Sequence, residues 1–137
     1  MRAVWTTGTN GPDSLEVRES QDPEPKAGQV RIRVRAAGLC FAEVMAAQGL
    51  YPGAPRFPAV LGYEAAGEID QAGPGVRIGR LVSRMDLLTQ ELTEVLALWA
   101  AGTITPRIDA TYPFAQAADA HRRILSHGNT GKVILTP

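Results

Sequence analysis

The sequence predicts an α+β fold: a half-buried antiparallel sheet or barrel first, then a helix, a strand, a second helix and a closing strand. Two observations carry this. The first half is a series of short alternating segments punctuated by Gly and Pro, and the period becomes helical from Asp86 onward. A third sets the scale, because 137 residues make about one ordinary domain, long enough to bury a core.

The expected strands of the first half are Arg2 to Thr7, Leu15 to Glu19, Val30 to Ala36 and Ala65 to Gln71. In the third, Val30, Ile32 and Val34 alternate with Arg31, Arg33 and Arg35, which predicts one apolar and one guanidinium face. Asp22-Pro23-Glu24-Pro25-Lys26-Ala27-Gly28 is a connecting turn, since two prolines fix φ and lack N–H donors. A helix is expected over Phe41 to Gln48 with Gly49 after it, followed by an irregular loop from Tyr51 to Pro58. Between Asp86 and Ala101, Leu87, Leu88, Leu92, Val95, Leu96, Leu98 and Trp99 recur at helical spacing, and Gly102 ends the run. A short strand over Arg107 to Ala110, a helix over Phe114 to Ser126 and a strand over Lys132 to Thr136 complete the order.

Composition excludes several classes. Fourteen basic and fourteen acidic side chains cancel without long runs, so no nucleic acid or anionic membrane partner is expected. Cys40 is the single cysteine, which excludes an intramolecular disulfide framework and fits a cytoplasmic location. No apolar run approaches the roughly 20 residues that cross a bilayer, and the N-terminus lacks the apolar core of a secretory signal.

Two stretches resemble the medium-chain dehydrogenase/reductase superfamily, specifically its zinc-independent quinone oxidoreductases and the vesicle amine transport protein-like branch. The first runs from Pro25-Lys26-Ala27-Gly28 through Gly38-Leu39-Cys40-Phe41-Ala42-Glu43 and Gln48-Gly49-Leu50-Tyr51 to Leu61-Gly62-Tyr63-Glu64-Ala65-Ala66-Gly67. The second is Gly102-Thr103-Ile104-Thr105-Pro106, then Ala117-Ala118-Asp119-Ala120-His121-Arg122 and Gly131-Lys132-Val133-Ile134-Leu135. The resemblance implies a GroES-like, partly open β-barrel with short helices, with the C-terminal helix-strand-helix-strand packed on it.

In that family a Rossmann domain stands between the two stretches, with a glycine-rich turn that presents N–H groups to the pyrophosphate of a nicotinamide cofactor. Here the stretches are nearly contiguous. The expectation is a single domain, 1–137, formed by 1–76 and 85–137 joined at about 77–84, where Ile78 to Val82 either stands in for the family's last strand before the insertion or belongs to the segment after it. Gly73-Pro74-Gly75-Val76-Arg77-Ile78-Gly79 has the wrong spacing for a phosphate cradle and is read as a turn leading to a strand. No cofactor is expected. Apolar surface that faced the missing domain would be exposed, which predicts a homodimer or higher oligomer.

The candidate catalytic residues lining the implied cleft are Glu64, Tyr63, Tyr51 and Cys40. Cys40 aligns with a zinc-binding cysteine of the alcohol dehydrogenase branch, but Tyr63 stands where that branch has a histidine ligand. No metal is expected, and the alternative reading of Cys40 is a buried structural thiol. Where some quinone oxidoreductases place a tyrosine on the helix after Cys40, this chain has Met45. Tyr51 and Tyr63 serve either the cleft or the edge of a core. Glu64, on an implied cleft floor, is either an acid or base of raised pKa or a structural carboxylate paired to an arginine. His121 and His127, on and at the end of the second helix, are expected to be solvated or helix-terminal.

The resemblance therefore implies a module that binds a small apolar carbonyl compound, of quinone or enone type, and does no redox chemistry alone. A cofactor-independent cyclase, isomerase or lyase reusing the same cleft is the alternative. A docked, separate nucleotide-binding chain is a third.

Overall fold

A computed structural model of the protein describes residues 1–76 and 86–137. They form two compact units, one of Met1–Asp22, Arg33–Glu68 and Ile108–Pro137, the other of Pro23–Ile32 and Ile69–Arg107. The strands are β1 (Arg2–Thr6), β2 (Leu15–Glu19), β3 (Val30–Leu39), β4 (Ala59–Val60), β5 (Glu64–Ala72), β6 (Ile108–Pro113) and β7 (Lys132–Thr136). The helices are α1 (Phe41–Ala47), α2 (Asp86–Ala100) and α3 (Ala117–Leu125), with 3-10 turns at Gly11–Ser14 and Phe114–Gln116.

Among the described residues the strands form two sheets, ordered β2-β1-β4 and β5-β3-β7-β6, and do not close into a barrel. In the first, β1 runs antiparallel to β2, with Val4 opposite Val17. The 3-10 turn between them uses Gly11 at φ 62 and Pro12 in the first helical turn, where a missing N–H costs nothing. The second sheet joins chain segments distant in sequence: Ala37, Gly38 and Leu39 of β3 pair with Leu135, Ile134 and Val133 of β7. β6 lies parallel to β7. Parallel neighbours need a crossover, and α3 supplies it.

The core of the first unit follows from this arrangement. Leu39 and Val44 meet Val133 and Leu135 of β7 and Ala117, Ala120 and Ile124 of α3. The face that α3 buries, Ala117, Ala120, His121 and Ile124, has the i, i+3, i+4, i+7 spacing of one helical stripe. Its small alanines let the helix lie close to the sheet. Each buried Val or Leu here contributes about 1.5–3 kcal/mol of transfer free energy.

In the second unit, Arg31 Nε donates to Asp70 at 2.8 Å and the Gln71 amide to Glu24 at 2.9 Å. Helix α2 ends in a Schellman motif: Gly102 has φ 72, its N–H reaches the Trp99 carbonyl, and the Thr103 N–H reaches that of Leu98. Leu92, Val95, Leu96, Leu98 and Trp99 are exposed.

Several expectations are corrected. Ile32 is 43% exposed and Arg31 half-buried, because the β3 guanidinium groups lie against carboxylates of β5, Arg31 on Asp70 and Arg35 on Glu68. β3 runs on to Leu39 because β7 pairs with its last residues. The expected Phe114 helix starts as a 3-10 turn after extended Pro113 and becomes α-helical at Ala117. His121 is only 3% exposed, so it is neither solvated nor helix-terminal. The join at 77–84 and the strand over Ile78 to Val82 lie outside the described residues. No described helix is long and apolar enough to cross a membrane.

Candidate functional site

The site is built on the start of α1, within the first unit. Cys40 is the N-cap, with extended backbone (φ −122, ψ 166), and is half-buried. Three residues on, Glu43 folds back over the helix start. Its Oε2 accepts the Cys40 N–H at 2.7 Å, and its Oε1 accepts the Tyr63 N–H at 3.3 Å. A carboxylate in the first turn also complements the positive end of the helix dipole.

Glu43 is 3% exposed. Burial raises its pKa above the ordinary carboxylate value, because the charged form loses its water. The Cys40 N–H, the Cys40 thiol and the Tyr63 N–H oppose this by donating to the anion, while the nearby Glu64 charge adds to the rise.

The other end of α1 aims Tyr51. Gly49, at φ 72, donates to the Ala46 carbonyl and Leu50 to that of Met45, a second Schellman motif that turns the chain back. A side chain at Gly49 would meet Thr9 Cγ2 at 2.9 Å. Tyr51 and Tyr63 bring their ring centroids to 6.2 Å at 56°, a tilted aromatic pair. Both are exposed, Tyr63 by 54%.

Glu64 is placed differently from the expected cleft floor. It is exposed rather than buried, and its Oε1 accepts from Lys132 Nζ at 2.8 Å rather than from an arginine. The sheet order explains this. β3 lies between β5 and β7, and where Glu64 crosses it, β3 has Gly38. A Cβ there would stand 2.5 Å from Glu64 Oε2. The absent side chain is the passage through which a β5 carboxylate reaches a β7 lysine.

Of the four predicted residues, the structure brings Cys40 and Tyr63 together through Glu43 and sets Tyr51 against Tyr63. Glu64 follows Tyr63 in the chain but is directed to Lys132. Glu43 is the residue that sequence reasoning passed over. Its signal was the Cys-x-x-Glu spacing at a helix start, a capping box with a thiol where a hydroxyl is usual. His127 occupies the C′ position of α3 at φ 52, its ring 5.9 Å from that of Phe41. His121 is held neutral by burial, its pKa lowered to about 4, and its Nδ1 has no hydrogen-bond partner among the described residues.

The backbone at Gly73 does not suit a pyrophosphate. The Gly73 N–H donates to the Gln29 carbonyl at 2.9 Å, and a Cβ at Gly73 would fall 2.0 Å from the Lys26 carbonyl oxygen. Val76 N–H turns back to the Gly73 carbonyl. Gly73 serves a close backbone approach and Gly75, at φ 75, a left-handed turn, with the Gly73 and Val76 donors already committed. Among the described residues no group of three or more His, Cys, Asp or Glu is placed to hold a metal ion.

Residues 44–135 match the family model described as zinc-binding dehydrogenase. Acryloyl-coenzyme A reductase of Metallosphaera sedula is 46% identical over 76 residues, 56% of this chain and 22% of that protein. The human synaptic vesicle membrane protein VAT-1 homolog is 34% identical over 110 residues, 79% of this chain and 27% of that one. The chain thus spans about a quarter of the length of these curated relatives. In fold it is similar to the crystal structure of human VAT-1 homolog-like protein, with a TM-score of 0.87, 15% identity, and coverage of 100% and 98% of the two chains. A mycobacterial quinone oxidoreductase gives 0.84 at 14% identity, covering 100% of each.

Proposed function

Since the chain belongs to the medium-chain dehydrogenase/reductase superfamily, in its zinc-independent quinone oxidoreductase-like group, we propose that it is a substrate-binding domain working without a nucleotide-binding domain of its own. Its ligand is a small apolar carbonyl compound, a quinone or an enone. It does no redox chemistry alone. In this reading residues 1–76 and 85–137 form one GroES-like substrate-side domain, and the insertion that would carry NADPH is absent at 77–84.

The observation that carries the reading is the β3–β7 ladder. The two family-like stretches meet in one sheet and share the core of the first unit, which supports one domain built from both. The Gly73 turn, whose Gly73 and Val76 N–H groups are committed to backbone carbonyls, supports a reading without a pyrophosphate cradle there. In such enzymes the cofactor supplies the hydride while the protein positions the substrate and shapes its electrostatics. The residues left to do that are Tyr51 and Tyr63, whose exposed rings offer π surface and hydroxyl donors to a flat carbonyl compound. The alternative, cofactor-independent acid–base chemistry, draws no support from Glu64, whose carboxylate is exposed and tied to Lys132. Exposed apolar side chains on α2 favour a homodimer or higher oligomer, and the single cysteine fits the cytoplasm.

Titration calorimetry tests this with duroquinone, whose ring is fully substituted against thiol addition, and with NADPH. Saturable heat from duroquinone and none from NADPH is the expected pair of results. Micromolar NADPH binding, or NADPH oxidation by the isolated chain, overturns the reading.

A further inference from the structure

We propose that Glu43 is the positioning residue of this site: its two carboxylate oxygens hold the Tyr63 backbone against the start of α1 and so fix the Tyr51–Tyr63 pair toward its ligand. The ligand's identity rests on the reading above; the clamp rests on geometry alone.

A capping role needs one oxygen, and Oε2 fills it on the Cys40 N–H at 2.7 Å. Oε1 does something else. It reaches the Tyr63 N–H, 20 residues further along the chain, at the point where the loop enters β5. Gly62, at φ 157, brings that loop close: a Cβ there would lie 3.9 Å from Oε1. Two N–H donors from separate segments therefore converge on one acceptor that is 3% exposed.

Only a carboxylate of this length serves both. Glutamine offers one oxygen and turns an NH2 toward the other donor, and aspartate is one methylene short. Burying an anion costs free energy unless hydrogen bonds compensate, so the donors and the acceptor hold one another in place. Glu43 does not act on the ligand directly, because both oxygens are committed and the side chain is enclosed. It acts through Tyr63.

The charged and titratable neighbours are few. The Cys40 thiol and the Glu64 carboxylate act on Glu43 directly. The elements packed on α1 carry Asp13, on the Gly11–Ser14 turn, and Asp119, His121, Arg122 and Arg123, on α3. Asp13 and Asp119 are paired with Arg122, and Arg123 with Asp109.

The test combines amide NMR with ligand binding on the full chain, as wild type, Glu43→Gln and Glu43→Asp. In wild type the Cys40 and Tyr63 amide resonances titrate together, with one midpoint above the ordinary carboxylate value of 4.5. In Glu43→Gln neither shows that transition, and duroquinone affinity of the folded protein falls about tenfold, the loss expected for one charge-assisted hydrogen bond. Glu43→Asp keeps the charge but not the reach, so the Cys40 amide still titrates and the Tyr63 amide does not. Unrelated midpoints, a Tyr63 amide that never titrates in wild type, or unchanged affinity in Glu43→Gln overturns the proposal. Should Glu43→Gln fail to fold, the wild-type titration alone decides. A wild type that ignores duroquinone sinks the functional reading, while the paired titration still decides the clamp.

Discussion

Two glutamates twenty-one positions apart meet opposite fates. Glu43, at the start of a helix, is enclosed and satisfied by backbone N–H groups and a thiol. Glu64, at the start of a strand, lies in solvent against a lysine. Identical side chains thus have different energetic weight. Removing the enclosed one leaves donors without water or partner, whereas removing the exposed one leaves groups that water can serve.

Buried titratable groups give the largest expected effect. His121 is held neutral with a folded pKa of about 4, against 6.5 when free. Between those values the unfolded chain binds a proton that the folded one does not. Stability is therefore fully present above pH 6.5 and declines as pH falls toward 4, by about 3 kcal/mol in all. Urea unfolding between pH 7 and 4 should show this slope, and His121→Leu should flatten it. Glu43 works in the opposite sense. Its folded pKa is raised, so its contribution is present below the free value of 4.5 and is lost as pH rises through the folded one.

Next in size is Glu43→Ala, which leaves the Cys40 and Tyr63 N–H groups without an acceptor and should cost roughly 2 kcal/mol in the same unfolding assay. Gly38→Ala should cost about 1 kcal/mol, because the new methyl displaces Glu64 from its route over β3. Most of that cost should vanish in the background of Glu64→Ala, a double-mutant cycle that would show whether the passage explains the glycine. Smallest is Lys132→Met, expected at under about 1 kcal/mol because both partners are hydrated. A loss as large as that of Glu43→Ala would erase the distinction between the two glutamates.

Much of the fold was legible because local chemistry states it. β2 and β7 have the predicted ends, fixed by flanking Gly, Pro and polar turns, and α2 follows its apolar repeat to within a residue of the expected end. The register of β3 was not legible: its arginines are partnered by Asp70 and Glu68, acids more than thirty residues away, and alternation says nothing about which face they cover. The site was half legible. Cys40, Tyr51 and Tyr63 come together as neighbours of one helix and one loop. The partner of Glu64 depends on strand order, with Lys132 sixty-eight positions away, and no local pattern encodes that. His121 could have been read correctly, since it shares a helical stripe with Ala117, Ala120 and Ile124. The polarity of its ring hid the position it holds.

The place of β7 bears on synthesis. It fills the slot between β3 and β6, so during translation those strands wait without their shared neighbour until residues 132–136 leave the ribosome. Leu39 and Val44, made early, stay without Val133 and Leu135 for nearly a hundred residues of elongation. In a nascent chain of this topology the half-built sheet stays open until β7 emerges, and chaperone occupancy should be highest just before it does.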